Sequence, residues 1–501
     1  MSLLPENKLI RRFISVFAGA LLPFAFAPYG FYFLSIISLS TLFYLCYKTE
    51  SVKESFILGY LFGLALFAIG VSWLHISINL FGGMNLIGAY FFTFLLIAFI
   101  SLYPALCTYI AKRFFNKVYF LSIPALWLLT EWTRGWFLTG FPWLNIGTSQ
   151  TDSLFANFAP LIGDYGISFI VCVISISIVS FLTGKIKTKI ISSALIIIIF
   201  SMAFLLNDTV WTESNGKQLK VALVQGAIPQ EIKWHPEFRD KTNEIYSGLS
   251  QAYWSSDLII WPETAIPSYY HLADDFLNPI SEKSRATDTL FMSGIVNKDQ
   301  ESQNYFNSIL LIDKEHRFYN KHHLVPFGEY LPLKFLLDRF LRFLQIPMSD
   351  FSSGEFGNKI LITDKAVFGM SICYEDAYGT EVRQSLPDAN ILVNVSNDAW
   401  FGDSFAPHQH LQIARMRAIE NGRYLLRATN TGISAVINNR GKIVARSPQF
   451  KPHVLNAQAE LFIGETPFSQ DGNTMMFIVC VIMLAIGYIL QRKHNLQTKP
   501  K

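Results

Sequence analysis

Apolar residues dominate this chain in long runs, and about 18 consecutive apolar positions suffice for a helix to cross a bilayer. Such runs lie near 9–27, 30–47, 55–76, 84–111, 118–133, 158–183 and 189–206, and another covers about 474–491. From 210 to 466 the pattern changes, and short apolar stretches alternate with polar ones. The hydropathy therefore predicts seven membrane helices over 1–209, a globular domain over 210–466, and an eighth helix with a tail over 467–501.

In the globular region, strands are expected at Leu219–Gln225, Asp257–Trp261, Leu290–Val296, Phe306–Ile312, Ala366–Ile372, Asn390–Ser396 and Ile433–Ile437. Helices are expected over about 237–253 and from His410 to Leu426. Alternating strands and helices predict an α/β or α+β sandwich.

Charge sets the expected orientation. Lys8, Arg11 and Arg12 precede the first run, and the second connection holds Lys48 and Lys53. The fourth holds Lys112, Arg113 and Lys117, the sixth Lys185, Lys187 and Lys189, and Arg492, Lys493, Lys499 and Lys501 follow the last run. The intervening connections, Pro28-Tyr29-Gly30 and Ser77 to Gly83, carry no charge, and the fifth holds only Glu131, Arg134 and Asp152. Basic connections mark the cytoplasmic side. Both termini are thus expected in the cytoplasm and the 210–466 domain outside, in the periplasm above the inner membrane of a Gram-negative cell.

Composition sharpens the picture. Hydrophobic residues make up 51% and charged residues only 16%, against about 25% charged in soluble domains. The net charge of +4 is too small to imply a polyanionic partner, so no nucleic acid is expected. Neither a paired-cysteine zinc motif nor a Gly-rich phosphate loop occurs, so no metal or organic cofactor is expected. Nothing in the sequence demands more than a monomer.

Of the five cysteines, Cys46, Cys107, Cys172 and Cys480 fall in apolar runs and read as small hydrophobic filler. Cys373 alone lies in the outer domain, at the end of the apolar run Ala366–Ile372, with no disulfide partner there. A lone thiol in an oxidising space calls for a chemical reason or for deep burial. Upstream stand Glu263, in Trp261-Pro262-Glu263, and Lys321, in Asn320-Lys321-His322-His323. A thiol attacks as its thiolate. A lysine can stabilise that thiolate and the oxyanion that follows, and a carboxylate can take the thiol proton. Glu263 and Cys373 both follow expected strands, and strand ends converge on one rim of a sheet. Singly, each residue also fits a surface ion pair or an inert buried thiol.

The three segments resemble the Glu-Lys-Cys signature of the nitrilase superfamily, and the whole chain resembles the apolipoprotein N-acyltransferase family within it. Further matching stretches are Arg134–Trp143, Gln225–Gln230 with Trp234, His323–Glu329, and Ser396–Gly402. The resemblance implies an αββα sandwich below which about eight helices form a membrane bundle, with Glu263, Lys321 and Cys373 as the catalytic triad. It implies acyl transfer in two steps, from a membrane phospholipid to Cys373 and then to the amine of a diacylglyceryl-cysteine apolipoprotein, the final step of bacterial lipoprotein maturation. Glu329 is then expected to orient Lys321, and Tyr374 and Glu375 to shape the pocket, Glu375 alternatively serving as a structural ion pair. Trp234 and Trp400 are expected as pocket or lipid-contacting aromatics, or as core.

Two more patterns concern lipid. Leu333, Leu336, Leu337, Phe340, Leu341 and Leu344 share one helical face, with Lys334, Asp338 and Arg342 on another. This predicts a membrane-surface arm over 331–347, or a helix packed on its own domain. Trp132, Trp136, Phe137, Phe141 and Trp143 predict an interfacial aromatic belt. A membrane-tethered carbon–nitrogen hydrolase acting on small amides or nitriles would carry the same triad, but would leave eight helices and the arm without a purpose. A transporter would place ionisable residues inside its helices, where this chain has few.

Overall fold

The computed structural model describes residues 7–331, 350–357 and 359–497, and the chain divides into two units. The first takes in Met1–His75, Ile87–Thr209 and Asp471–Lys501; the second takes in Ile76–Leu86 and Val210–Gln470. The arm expected over 331–347 lies, but for Leu331, outside the described residues.

Every apolar run of the first unit is helical. Val52–Gly70, Leu86–Phe114, Leu154–Thr183, Ile186–Asp208 and Thr474–Gln497 are long and apolar enough to span a bilayer. Lys8–Leu21, Phe33–Lys48 and Tyr119–Arg134 have 14, 16 and 16 residues, short of the roughly 20 that cross the hydrocarbon core. The first of these stops where Leu22–Ala25 tightens into a 3-10 turn around Pro23. Among the described residues, five of the eight expected helices are thus long enough to cross a bilayer outright, and the other three are shorter apolar helices.

Small residues bring these helices together. A Cβ on Gly19 would lie 2.2 Å from the Phe62 carbonyl oxygen, and one on Gly59 2.3 Å from Thr108 Oγ1. Ser55 and Thr108 exchange hydrogen bonds to each other's carbonyls at 3.0 and 2.9 Å. Such contacts replace the hydrophobic drive that lipid cannot supply. The loop after Tyr119–Arg134 is held from within. Arg134 donates to the carbonyls of Phe141 and Trp143 and to Asn145 Oδ1, which satisfies backbone groups that water does not reach. The expected aromatic belt is split accordingly, with Trp136 and Phe137 exposed and Trp143 buried.

The second unit is a four-layer sandwich. Its strands are β1 (Glu213–Gln225), β2 (Leu258–Ile260), β3 (Leu290–Lys298), β4 (Tyr305–Ile312), β5 (His316–Asn320), β6 (Ile360–Ile362), β7 (Val367–Ile372), β8 (Ile391–Ser396), β9 (Leu425–Thr429), β10 (Ala435–Ile437), β11 (Ile443–Arg446) and β12 (His453–Ile463). They form two six-stranded sheets, ordered β12-β1-β2-β3-β4-β5 and β11-β10-β9-β8-β7-β6. The trios β1-β2-β3 and β7-β8-β9 are parallel, and antiparallel strands flank each trio.

Side-chain alternation assigns each face. Val221, Leu223, Leu258, Ile260 and Met292 of one sheet pack against Phe368, Met370, Ile372, Val393 and Val395 of the other. The opposite face of the first sheet (Ala222, Val224, Ile259, Phe291) is covered by Tyr246, Leu277 and Ile280 from helices Pro236–Ser250 and Asp274–Thr287. Leu411, Ala414 and Ala418 of helix Ala406–Asn421 cover the outer face of the second sheet. This is the αββα arrangement. The expected helix from His410 to Leu426 overran its true end: Gly422, at φ +60°, caps it, and Leu425 already belongs to β9.

Ile76–Leu86, which contains the expected uncharged connection Ser77 to Gly83, groups with the sandwich unit. Ser77 Oγ donates to the Trp400 carbonyl at 2.6 Å, and the Phe81 and Trp400 rings meet edge-on with centroids 4.9 Å apart.

Candidate active site

Three chain segments meet at one end of the two inner sheets. Glu263 stands three residues past β2, Lys321 directly follows β5, and Cys373 directly follows β7. The parallel β2 and β7 deliver their followers at carboxyl ends, where an α/β sheet usually holds its site. Backbone conformation aims them. Thr264, next to Glu263, and Cys373 itself adopt φ of +46° and +51°. This left-handed geometry costs a non-glycine residue about 1–2 kcal/mol and tends to persist where surrounding contacts enforce it at functional sites.

For Cys373 those contacts are explicit. Its carbonyl accepts from His410 Nε2 at 3.1 Å and from Asn394 Nδ2 at 3.4 Å. His410 Nδ1 faces Asp398 Oδ1 at 2.9 Å, and Arg427 donates to both Asp398 oxygens and to Asn394. For Glu263, β3 clears the space. A Cβ on Gly294 would lie 2.2 Å from Thr264 N and 2.6 Å from Glu263 Cα.

The side chains form a buried charge cluster. Lys321 Nζ sits 2.8 Å from Glu329 Oε2 and 3.7 Å from Glu263 Oε1. Asn307 Nδ2 donates to Glu263 Oε1 and to Glu329 Oε1, each at 2.8 Å. Glu263 Oε2 is buried and has no hydrogen-bond partner among the described residues. Burial alone would lower the Lys321 pKa, but Glu329, then Glu263 and Cys373, outweigh it and raise it, so the ammonium is permanent. Burial, then the Glu263 carboxylate, push the Cys373 thiol upward, and Lys321 works the other way. At rest the sulfur thus carries its proton, and it needs a base to release it. Glu263 leaves one carboxylate oxygen open, and its charge is felt at the thiol.

The remaining expected residues take distinct places. Glu375 is wholly buried and does not line an opening. Its carboxylate accepts from the amides of Ile372, His322 and His323 and from the Tyr319 hydroxyl, and Lys359 stands 3.7 Å away. Tyr374 meets Tyr378 edge-on at 5.3 Å and His323 at 5.9 Å. Trp234 is half-buried, one residue beyond Lys233. Trp400 is half-buried against Phe81.

Two cluster members were not expected from the sequence. Asn307 is a polar residue inside the apolar strand β4, an anomaly that pointed to it. Lys233 is only 2% exposed, and its Nζ donates to the Glu263 carbonyl at 3.0 Å and to Thr264 Oγ1 at 2.6 Å. Its signal was a lysine set between Ile232 and Trp234.

Comparison with known proteins decides the family. A family model described as the apolipoprotein N-acyltransferase N-terminal domain matches residues 18–177, and one described as carbon-nitrogen hydrolase matches 220–462. The apolipoprotein N-acyltransferase of Methylococcus capsulatus is 38% identical over 488 residues, covering 96% of both chains. That of Vibrio cholerae is 37% identical over 505 residues, covering 98% of this chain and 99% of its own. The chain belongs to the apolipoprotein N-acyltransferase family. Membership makes it an acyltransferase. The tethered-hydrolase alternative gives way, because the hydrolase match covers the sandwich alone whereas the N-acyltransferase relatives match nearly end to end. A CN-hydrolase superfamily protein from Xanthomonas campestris is similar over 48% of this chain and 91% of its own, at 18% identity and a TM-score of 0.37.

Proposed function

We propose that this chain N-acylates the diacylglyceryl-cysteine at the N-terminus of apolipoproteins, taking the acyl group from a membrane phospholipid through a thioester on Cys373. The observation that carries the mechanism is the buried cluster in which Lys321 Nζ faces Glu263 and Glu329, Glu263 Oε2 stays open, and the charges of Glu263 and Lys321 are both felt at the Cys373 thiol.

In the first half-reaction Glu263 takes the Cys373 proton as sulfur attacks the ester carbonyl carbon of the donor. Lys321 stabilises the oxyanion, whose charge grows in a site already holding a fixed ammonium. The intermediate collapses by breaking the C–O bond. The lysophospholipid leaves with the proton returned by Glu263, and the acyl group stays on sulfur. In the second half-reaction the acceptor amine attacks the thioester carbonyl and gives a proton to Glu263. The C–S bond breaks, and the thiolate recovers that proton. Glu329 keeps Lys321 aimed, and Asn307 spaces the two carboxylates around it. The charge pattern of the connections supports a sandwich on the outer face of the cytoplasmic membrane, with both termini inside.

The test is direct. Purified protein incubated with phospholipid and no acceptor is expected to gain the mass of one acyl chain on Cys373, removed by neutral hydroxylamine. Active protein that never carries such an adduct would overturn the thioester course.

A further inference from the structure

We propose that Lys233 is a second ammonium of this active site, a positioning residue that pins the turn bearing Glu263 and balances the two carboxylates beside the nucleophile. The inference rests on the acyltransfer reading above and deepens it.

Geometry carries it. Lys233 is almost completely buried, yet its Nζ has two oxygen partners at 2.6 and 3.0 Å, Thr264 Oγ1 and the Glu263 carbonyl. Both belong to the turn in which Thr264 is forced to positive φ. The lysine therefore grips the backbone from which the Glu263 side chain departs. A buried ammonium is expensive unless opposite charge compensates it. The compensating groups are those of the site: burial lowers Lys233 to about 8, while Glu263 and Cys373 pull the other way.

Charge counting gives the role. With Lys321 alone, the formal charges of Glu263, Glu329 and one ammonium sum to minus one in a buried place, before any thiolate or oxyanion forms. With Lys233 the resting site sums to zero. Moving the thiol proton to Glu263 keeps that sum, so the thiolate forms against two ammonium groups. Lys233 reaches backbone and hydroxyl oxygens of the Glu263 turn, and it thus acts through Glu263.

The experiment uses the full chain in detergent and follows the pH dependence of Cys373 alkylation by iodoacetamide, read by peptide mass spectrometry. Lys233→Gln keeps donors for the Glu263 carbonyl and Thr264 but removes the charge. Its alkylation rate at pH 7 is expected to fall about tenfold, the thiolate lost for one pH unit, and the gap to the parent should close well above pH 8, where the parent's Lys233 is itself neutral. Its rate of acyl-enzyme formation should fall in parallel, without a change in KM for phospholipid. Lys233→Arg, which keeps the charge, is expected to restore the rate at pH 7. Lys233→Met supplies the same comparison should the glutamine prevent folding. A folded Gln or Met variant with the parent's rate at pH 7 would overturn the proposal, as would an Arg variant as slow as the Gln variant. Alkylation needs no lipid, so it reads Lys233 separately. A missing acyl adduct on the unsubstituted protein would sink the acyltransfer reading and leave the alkylation result standing.

Discussion

The Glu375 carboxylate accepts the backbone amide of His322 at 2.9 Å, tying the turn that begins at Cys373 to the loop that begins at Lys321. The same group also takes the His323 and Ile372 amides and the Tyr319 hydroxyl. A glutamine would turn one acceptor oxygen into a donor facing donors. Glu375→Gln is expected to lose about 1–3 kcal/mol of stability and to slow thioester formation by at least about tenfold. Thermal melting and the adduct assay on one preparation check both. Full activity in the variant would mean that the two loops are held by other contacts.

Asn307 offers one nitrogen to two carboxylates, Glu263 Oε1 and Glu329 Oε1. Without it, both would compete for Lys321, and Glu263 would lose the bond that fixes which oxygen is open. Hydrogen bonds to charged groups are worth about 1.5–3 kcal/mol. Asn307→Leu should therefore lower kcat by roughly 10- to 100-fold, with little change in phospholipid KM. An increase in KM alone would assign Asn307 to donor binding instead.

Gly294 is where β3 lets the Glu263 turn approach. Even a methyl group would overlap Thr264 N at 2.2 Å and Glu263 Cα at 2.6 Å, both main-chain atoms that cannot swing aside. Gly294→Ala is expected to push Glu263 away and to abolish most transfer while membrane insertion persists. Overpacking of this kind costs about 1–3 kcal/mol, and a thermal shift of that size should accompany the lost activity. Normal turnover in Gly294→Ala would show that the turn yields without moving the carboxylate.

Much of this architecture was legible in the hydropathy, because burial on both faces writes continuous apolar strands such as Leu258–Ile260, Val367–Ile372 and Ile391–Ser396. The residues that end them, Glu263 and Cys373, were legible for the same reason. Strands with mixed faces were not. β12 pairs with β1 over Gln218–Gln225, yet its Asn456, Gln458 and Glu460 hide the pattern. β9 was absorbed into the preceding helix despite the Asn421-Gly422 stop. Hydropathy alone did not reveal that Lys8–Leu21, Phe33–Lys48 and Tyr119–Arg134 are shorter than the apolar runs that hold them, since it does not register where a turn ends a helix. Lys233 and Asn307 escaped because a single polar residue takes its meaning from a partner distant in sequence.

Arg427 faces two buried aspartates whose carboxyl groups shift in opposite directions. Burial would raise Asp398, but Arg427 at 3.0 Å and His410 at 2.9 Å outweigh it and hold the carboxyl below its usual range. Asp376, 3.6 Å from the same guanidinium, is raised, burial prevailing over Arg427. A depressed carboxyl stabilises the fold fully above its unfolded value of about 3.9, and that contribution drains away as pH falls below it. A raised one costs stability at neutral pH, and the cost disappears as pH falls to the same region. At pH 7, Asp398→Asn should destabilise by about 3–5 kcal/mol, as breaking a buried pair does, whereas Asp376→Asn should cost far less or even stabilise. Melting curves between pH 3 and 7 should show the gap between parent and Asp398→Asn closing at the acid end. A constant gap would mean that the carboxylate charge is not what Arg427 and His410 stabilise.

The proposed orientation rests on lysine and arginine in alternate connections, and cysteine labelling puts it at risk. Cys46, Cys107, Cys172 and Cys480 are buried in the helical unit, and a Cys373→Ala background removes the reactive thiol, which keeps the background low. Lys217, in the exposed bulge of β1, and Lys185, in the turn before helix Ile186–Leu205, are both exposed. With basic connections retained inside, Lys217→Cys should react with a membrane-impermeant maleimide in spheroplasts, and Lys185→Cys only after permeabilisation. The two positions lie on opposite sides of a single apolar helix, so the assay has its own control: both should change together if the helix spans. Labelling of Lys185→Cys in intact spheroplasts with Lys217→Cys protected would invert the molecule. The thioester would then face the cytoplasm, and an acceptor presented at the outer leaflet would be out of its reach.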